Sequence, residues 1–230
     1  MVEKGDVGMP NAAMNEPTPV VLFDLDGTIW DSIPGIVASL RHALEVVRVE
    51  VPDEPLQRFV GPPLAAMLAD VGVPGDRIEL GCTAYRERYH REGVYQARLY
   101  PGARLLLDDL ARAGLRLATA TSKGEVATAI MLDHFELTGL FTVVGAASMD
   151  STRHSKLDVI ASVLERLEPF DPSTTTMVGD RHYDIEGGRH FGLRTVAVTW
   201  GYGSAEERVA SVPDVIVTDI DELRRLLLPE

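Results

Sequence analysis

The chain has 230 residues, of which 35 are acidic and 22 basic, giving a formal net charge of −13. This length suits one domain or a core with a small insert, and the negative charge disfavours nucleic acid or an anionic membrane as a partner. No transmembrane span or secretory signal is evident, and a single cysteine excludes an internal disulfide and a cysteine-built zinc site, so we expect a cytoplasmic protein.

The chain opens with a polar segment and continues into a strand with acidic residues at its end. Residues 1–18 are rich in Asn, Pro, Gly and Glu without a periodic apolar face, which indicates a disordered leader. The stretch VLFDLDGT then carries Asp24 and Asp26, whose i, i+2 spacing puts both side chains on one side of an extended backbone. Gly27 permits a sharp turn there. Two carboxylates at the end of a buried strand are costly without a positive group nearby, which predicts a reaction centre.

The segment 33–98 shows helical patterns only. Apolar residues recur at helical spacing in three stretches, which are 33–47, 64–68 and 78–89. Joints that contain proline and glycine separate these stretches. We interpret the segment as an all-helical cap inserted after the first strand.

Strand-like and helix-like segments alternate from residue 99 onward. The predicted strands cover 115–120, 142–146, 174–179, 194–200 and 215–217. Such alternation predicts an α/β fold, with a three-layer Rossmann-like parallel sheet as its core. The core is expected to comprise residues 19–32 and 99–230. Ligands of such sheets bind outside the carboxyl ends of the strands.

The stretch LATATSKGE, residues 117–125, is a candidate anion site. Thr121 and Ser122 end a predicted strand, and Ser122 and Glu125 have the spacing of a capping box for the next helix. Free backbone N–H groups at a helix N-terminus, beside hydroxyl groups, bind anions. An ordinary helix N-cap explains the same residues.

Two later stretches contribute further charges. Ser155 and Asp158 have capping-box spacing, which puts Lys156 in the first turn of a helix. A cation there opposes the helix dipole by about 0.3–1 kcal/mol, so it is better explained if it faces an anion, although a surface lysine is the alternative. Asp180 follows a predicted strand and Asp184 comes four residues later, an arrangement that suits a hard cation bound by oxygens.

A parallel sheet would bring all these residues to one edge. Carboxylates about 4–6 Å apart repel by about 1–4 kcal/mol per pair at effective dielectric constants of 80 to 20. One Mg²⁺ ion and one lysine would relieve this repulsion and leave room for a phosphate. The sequence therefore predicts a Mg²⁺-assisted phosphate site.

The motifs DLDGT, TSK, a downstream lysine and GDRHYD, in this order, resemble those of the haloacid dehalogenase-like phosphohydrolase superfamily. The helical insert, FVGPPL (59–64) and WGYGS (200–204) are similar to the branch of phosphoglycolate phosphatases and 5′-nucleotidases. The resemblance extends from Val20 to the C-terminus. Many relatives have proline after the motif-three lysine where this chain has Leu157, so Arg153 is an alternative to Lys156.

The resemblance implies a role for each motif residue. Asp24 would be the nucleophile that forms an aspartyl-phosphate, and Asp26 the general acid and base. The implied Mg²⁺ ligands are Asp24, Asp180, Asp184 and the backbone carbonyl of Asp26. The implied phosphate and substrate contacts are Thr121, Ser122, Lys156 and, in the cap joint, Gly61, for which a simple helix–helix turn is the alternative.

The implied function is a Mg²⁺-dependent phosphatase that acts on a small phosphorylated metabolite, with neither nucleic acid nor membrane as partner. A phosphotransferase on the same scaffold, either a phosphomutase or a protein-phosphorylating enzyme, would use the same residues and remains open. A phospho-receiver signalling module is disfavoured because its acidic residue follows the third strand, and a dehalogenase because Asp26 would be surplus. The sequence leaves the substrate open, and it does not decide between monomer and dimer.

Overall fold

Six parallel strands form the central sheet of the computed structural model, which describes residues 18–52, 55–61, 63–148 and 152–228. The strands of the described residues are β1 (Val20–Phe23), β2 (Trp30–Asp31), β3 (Arg98–Leu99), β4 (Arg116–Gly124), β5 (Val143–Ala147), β6 (Thr175–Gly179), β7 (Arg194–Val198) and β8 (Val215–Val217), of which β2 and β3 form a separate pair. The order in the central sheet is β5-β4-β1-β6-β7-β8, so β1 lies between β4 and β6. All five neighbouring pairs in the sheet are parallel, as predicted.

Both faces of the sheet are buried by helices. The helices are α1 (Ile33–Val46), α2 (Leu64–Asp70), α3 (Ile78–Arg91), α4 (Ala103–Arg112), α5 (Glu125–His134), α6 (Lys156–Leu167), α7 (His182–His190), α8 (Ala205–Ser211) and α9 (Ile220–Leu227). Val20 and Leu22 of β1 belong to the apolar cluster of α6, whereas Val21 and Phe23 belong to the cluster that contains α4 and α9. Successive residues of β1 therefore contact helices on opposite faces, so the sheet is the middle of three layers. This arrangement confirms the predicted fold class.

Every described secondary-structure element between β2 and β3 is helical. Besides α1 to α3 these are short 3₁₀ turns at Leu56–Phe59, Gly75–Arg77 and Gly93–Gln96. The two ends of the segment meet in a short antiparallel pair, in which Trp30 is opposite Leu99 and Asp31 opposite Arg98. The division into cap and core stays a prediction. Residues 1–17 of the predicted leader lie outside the residues that the structure describes.

One local prediction was wrong. Strand β4 continues to Gly124, so Ser122 does not begin a helix, and Gly124 is the N-cap of α5. The cause is a bulge: Thr121 is opposite Ala146 and Gly124 is opposite Ala147, so extra residues of β4 are accommodated before the helix starts.

None of the helices in the described part of the chain has the length and apolar character needed to cross a lipid bilayer.

Candidate active site

Three buried carboxylates meet at the carboxyl ends of β1 and β6. Asp24 directly follows β1, and its N–H continues the ladder to β6 by donating to Val178 O at 2.9 Å. Asp180 directly follows β6, and Asp184 lies in the first turn of α7. One carboxylate oxygen from each of these aspartates lies within 4.8 Å of the other two. The predicted convergence of positions 24, 180 and 184 is therefore present.

Lys156 supplies the positive charge of this cluster. Its Nζ donates to Asp24 Oδ1 at 2.8 Å and to Ala120 O at 2.7 Å, and forms an ion pair with Asp184 Oδ1 at 2.7 Å. Burial alone would lower the pKa of this lysine, but the two carboxylates outweigh burial and raise it. The ammonium group is therefore held in its charged form.

The position of Lys156 follows from a helix cap. Ser155 Oγ accepts from the Asp158 N–H, and the Asp158 side chain accepts from the Ser155 N–H, which is the predicted capping box. The guanidinium of Arg153, the alternative, instead contacts Ala146 O and the carboxylate of Glu125. Lys156 is thus the residue that reaches Asp24.

The three carboxylates carry more negative charge than one lysine can balance. Burial is the largest effect on Asp24 and raises its pKa to about 6, although Lys156 acts in the opposite direction. Burial and the charges of Asp24 and Asp184 raise the pKa of Asp180 well above its usual value. Burial and the mutual repulsion of neighbouring carboxylates thus disfavour the charged forms of these acids.

Asp180 offers an oxygen without a protein partner. Its Oδ2 accepts from the N–H of Tyr202 at 2.6 Å and of Gly203 at 3.3 Å. Its buried Oδ1 has no hydrogen-bond partner among the described residues. Such an oxygen, facing two further carboxylates, fits the donor set of a hard divalent cation.

Asp26 has different neighbours from Asp24. Its Oδ1 accepts from Trp30 Nε1 and Ser32 Oγ, both at 2.6 Å. Lys123 Nζ lies 3.1 Å from Oδ1 and 2.8 Å from Oδ2. Burial would raise the pKa of this carboxyl, but Lys123 and the other donors outweigh burial and lower it. The Asp26 side chain thus lies outside the three-carboxylate cluster, which leaves its backbone carbonyl as the predicted ligand.

Thr121 and Ser122 lie at the carboxyl end of β4, next to β1. Thr121 is buried and its Oγ1 accepts from the Lys123 N–H at 3.2 Å. Ser122 is exposed and belongs to the strand. The structure therefore brings both residues to the edge that carries the cluster, although without the predicted helix start.

Gly61 contacts the core through a neighbour of the cluster. A Cβ atom at Gly61 would meet the guanidinium of Arg181, and Arg181 Nη1 donates to Val60 O at 3.3 Å. Gly61 has a φ of +138°, which strongly favours glycine. The predicted joint therefore lies against the residue that follows Asp180.

Three groups at this edge were missed by the sequence reasoning. They are the Lys123 ammonium, the Arg181 guanidinium and the backbone N–H groups of 202 and 203. All three lie inside stretches that had been singled out, namely TSK, GDRHYD and WGYGS. Lys123 directly follows Thr121 and Ser122, and this adjacency was the available signal.

Comparison with known proteins agrees with this geometry. The family model of haloacid dehalogenase-like hydrolases matches residues 21–198, which is most of the chain. The chain belongs to this family. It is therefore a hydrolytic enzyme with the family's Rossmann-like α/β core, and the predicted membership is confirmed.

Several relatives within the haloacid dehalogenase-like family are similar over nearly the whole chain. "Tyrosine-protein kinase PtkA" of Mycobacterium tuberculosis is 42% identical over 92% of this chain and 73% of its own length. A 5′-nucleotidase of Pseudomonas aeruginosa is 33% identical over 95% of this chain and 99% of its own. Enzymes named phosphoglycolate phosphatase are also among the relatives. The crystal structure of a predicted phosphatase from Clostridium acetobutylicum has a TM-score of 0.84 at 34% identity, covering 92% of this chain and 98% of the other.

Proposed function

We propose that this enzyme is a Mg²⁺-dependent phosphatase that hydrolyses a small-molecule phosphomonoester through an aspartyl-phosphate on Asp24. The observation that carries the proposal is the buried cluster of Asp24, Asp180 and Asp184, in which Lys156 holds one oxygen of Asp24. The names of the 5′-nucleotidase and phosphoglycolate phosphatase relatives support it. A cytoplasmic location belongs to the same proposal.

The chain's own oxygens fit the metal that this family uses. Mg²⁺ would be held by Asp24, Asp180, Asp184 and the backbone carbonyl of Asp26. The strongest support for this fit is Asp180 Oδ1, which is buried and has no hydrogen-bond partner among the described residues. When bound, Mg²⁺ would neutralise the carboxylates and the phosphate oxygens, which lowers the repulsion between nucleophile and substrate.

Asp24 would perform the first step. Lys156 holds Oδ1, and among the described residues no hydrogen bond reaches Oδ2, which is the oxygen available for attack on phosphorus. As the new O–P bond forms, the ester bond to the leaving alcohol breaks. The protonated form of Asp26, a minority species because the pKa of this carboxyl is lowered, gives its proton to the departing oxygen.

Water completes the reaction. Asp26, now a carboxylate, takes a proton from a water molecule that attacks the phosphorus of the aspartyl-phosphate. The bond between phosphorus and Asp24 breaks, which releases inorganic phosphate and regenerates both aspartates. General acid and base assistance of this kind contributes roughly 10²–10⁴-fold.

The remaining residues would hold the phosphoryl group and exclude water. Lys156, Thr121 and the Ser122 N–H lie at the same edge and would bind the phosphoryl oxygens, on which negative charge spreads in the transition state. The segment 33–98 would act as a cap that closes over this edge, with the joint at Gly61 contacting substrate.

A phosphotransferase is the second candidate. The observation that favours it is the 42% identity to a relative named as a tyrosine kinase. Such an enzyme would use the same aspartyl-phosphate but would deliver the phosphoryl group to a hydroxyl group instead of water. The two candidates differ only in the acceptor, so the products distinguish them.

The decisive experiment is turnover of p-nitrophenyl phosphate with Mg²⁺ by the wild type and by Asp24→Asn. We expect no turnover by Asp24→Asn and full turnover by Asp219→Asn, a control in which an exposed helix-capping carboxylate is replaced by an equally good cap. An active Asp24→Asn enzyme would overturn the proposal. Free phosphate equal to released p-nitrophenol supports a phosphatase, whereas a phosphate deficit matched by phosphotyrosine on added protein supports the second candidate.

A further inference from the structure

We propose that Lys123 and Tyr89 position the carboxyl group of Asp26, which donates in its protonated form, for proton transfer to the leaving group, and that they do so through a bridge between the cap segment and the core. This inference rests on the proposed function, because it assumes that Asp26 is the proton donor. It assigns a positioning role to Lys123 of the TSK stretch, to which no role was given above, and to Tyr89 of α3.

The bridge is a buried ammonium group with three close partners. The Lys123 side chain is 6% exposed, and its Nζ lies 2.8 Å from Asp26 Oδ2, 3.1 Å from Asp26 Oδ1 and 2.7 Å from the Tyr89 hydroxyl. The same Nζ lies 4.6 Å from the centroid of the Tyr89 ring. A buried cation is tolerated only when it is well paired, so these contacts fix the lysine in one place.

The two oxygens of Asp26 are not equivalent. Oδ1 receives hydrogen bonds from Trp30, Ser32 and Lys123, which uses up its capacity to accept. Oδ2 receives a hydrogen bond from Lys123 alone among the described residues. Oδ2 is therefore the oxygen that can turn to a leaving group, and Lys123 sets its direction.

Tyr89 ties this arrangement to the cap segment. It lies on α3, is 3% exposed, and its hydroxyl accepts from Lys123 while it donates to Met131 Sδ at 3.7 Å. The ring of Tyr85 stacks on it at 5.4 Å. Because α3 belongs to the helical segment and Lys123 to β4, the contact exists only while these two parts of the molecule are together. The orientation of Asp26 is thus coupled to the position of the cap segment.

A positioning role predicts dependence on the leaving group. The p-nitrophenolate ion is a weak base that departs with little help from a proton, whereas the phenolate ion is a stronger base and needs more. Phenyl phosphate and p-nitrophenyl phosphate are otherwise alike. Loss of proton transfer should therefore slow phenyl phosphate more, while a general loss of structure should slow both equally.

The test compares kcat and KM for both esters in the wild type, Lys123→Met, Tyr89→Phe and Asp26→Asn, with Mg²⁺ present. We expect Lys123→Met to lower kcat on phenyl phosphate by at least about 10-fold and on p-nitrophenyl phosphate by less than about 3-fold, the same selectivity as Asp26→Asn. Tyr89→Phe should act in the same direction and more weakly. Tyr95→Phe, which changes an exposed tyrosine, should have no effect.

Equal losses on the two esters, or no loss, would overturn the inference. If Lys123→Met does not fold, as judged by thermal unfolding, then Tyr89→Phe decides the question, because it removes only the hydroxyl group that contacts Lys123 and keeps the buried ring. Failure of the proposed function is recognised separately, since it would appear as an active Asp24→Asn enzyme.

Discussion

The guanidinium of Arg181 occupies the place that a side chain at Gly61 would need. Arg181 follows Asp180, its Nη1 donates to Val60 O at 3.3 Å, and its Nε donates to Glu207 Oε1 at 2.8 Å. The joint between two helices of the segment 33–98 therefore contacts the residue directly beside the carboxylate cluster. We expect substrate in the site to affect this segment through that contact.

We expect Gly61→Ala to change substrate preference. The new methyl group would displace the Arg181 guanidinium, and a φ of +138° would add strain of about 1–2 kcal/mol. The value of kcat/KM should fall more for bulky metabolite esters than for p-nitrophenyl phosphate, because we expect only the bulky esters to contact the joint at Gly61. Steady-state kinetics on a panel of phosphate esters measures this difference.

Gly72→Ala is the matched control. Gly72 also has a positive φ, +92°, but a Cβ atom there would meet nothing within 4 Å. It should therefore lower the free energy of unfolding by a similar amount and leave the order of substrates unchanged. Equal kinetic effects of the two substitutions would show that backbone strain, and not the contact with Arg181, is responsible.

The fold and the carboxylate cluster were predictable because they depend on local patterns. Alternating strands and helices fix a parallel sheet, and such a sheet brings the ends of β1 and β6 to the same edge. Asp24 and Asp180 each directly follow a strand, so their proximity follows from the topology. The Ser155 capping box likewise placed Lys156 in the first turn of its helix.

The remaining features depend on tertiary contacts that no local pattern encodes. The helix start predicted at Ser122 failed because pairing of β4 with β5 extends the strand through a bulge. Trp30 and Ser32 follow Asp26 closely along the chain, but its third partner, Lys123, comes from β4. Lys123 in turn contacts Tyr89 of α3. Spacing along the chain reveals none of these distances.

We expect Asp180→Asn to abolish stabilisation by Mg²⁺. Asp180 Oδ1 is the orphan oxygen of the cluster, and an amide in its place removes a negative charge from the metal's ligands. In the wild type, Mg²⁺ at 100 times its Kd should raise the free energy of unfolding by about 2.7 kcal/mol. In the variant, thermal unfolding should be the same with Mg²⁺ and with chelator.

Without metal, the stability difference between Asp180→Asn and the wild type should no longer favour the wild type. With chelator present, Asp180→Asn should be at least as stable as the wild type, because the substitution relieves repulsion by Asp24 and Asp184. Asp214→Asn serves as a control, since Asp214 accepts from Thr195 and lies outside the cluster, and its Mg²⁺ response should equal that of the wild type. A full Mg²⁺ response in Asp180→Asn would contradict the metal assignment.

Glu207 holds the loop that follows β6. Its Oε1 accepts from Arg181 Nε at 2.8 Å and from the His182 N–H at 3.0 Å, and lies 2.6 Å from His182 Nδ1. Burial would raise the pKa of this carboxyl, but the hydrogen bonds from His182 and Arg181 outweigh burial and lower it to about 2. The ionised form therefore stabilises the folded state.

Glu207→Gln should cost stability at neutral pH and progressively less in acid. Because the folded pKa of Glu207, about 2, lies below the ordinary glutamate value of 4.5, its contribution is complete above pH 4.5 and is lost as the pH falls towards 2. Solvent screening of this partly exposed pair reduces the expected cost to about 1 kcal/mol at pH 7. Urea unfolding of both proteins should show this gap at pH 7, and the gap should narrow from pH 5 to pH 3. A constant gap would assign the loss to packing, not to charge.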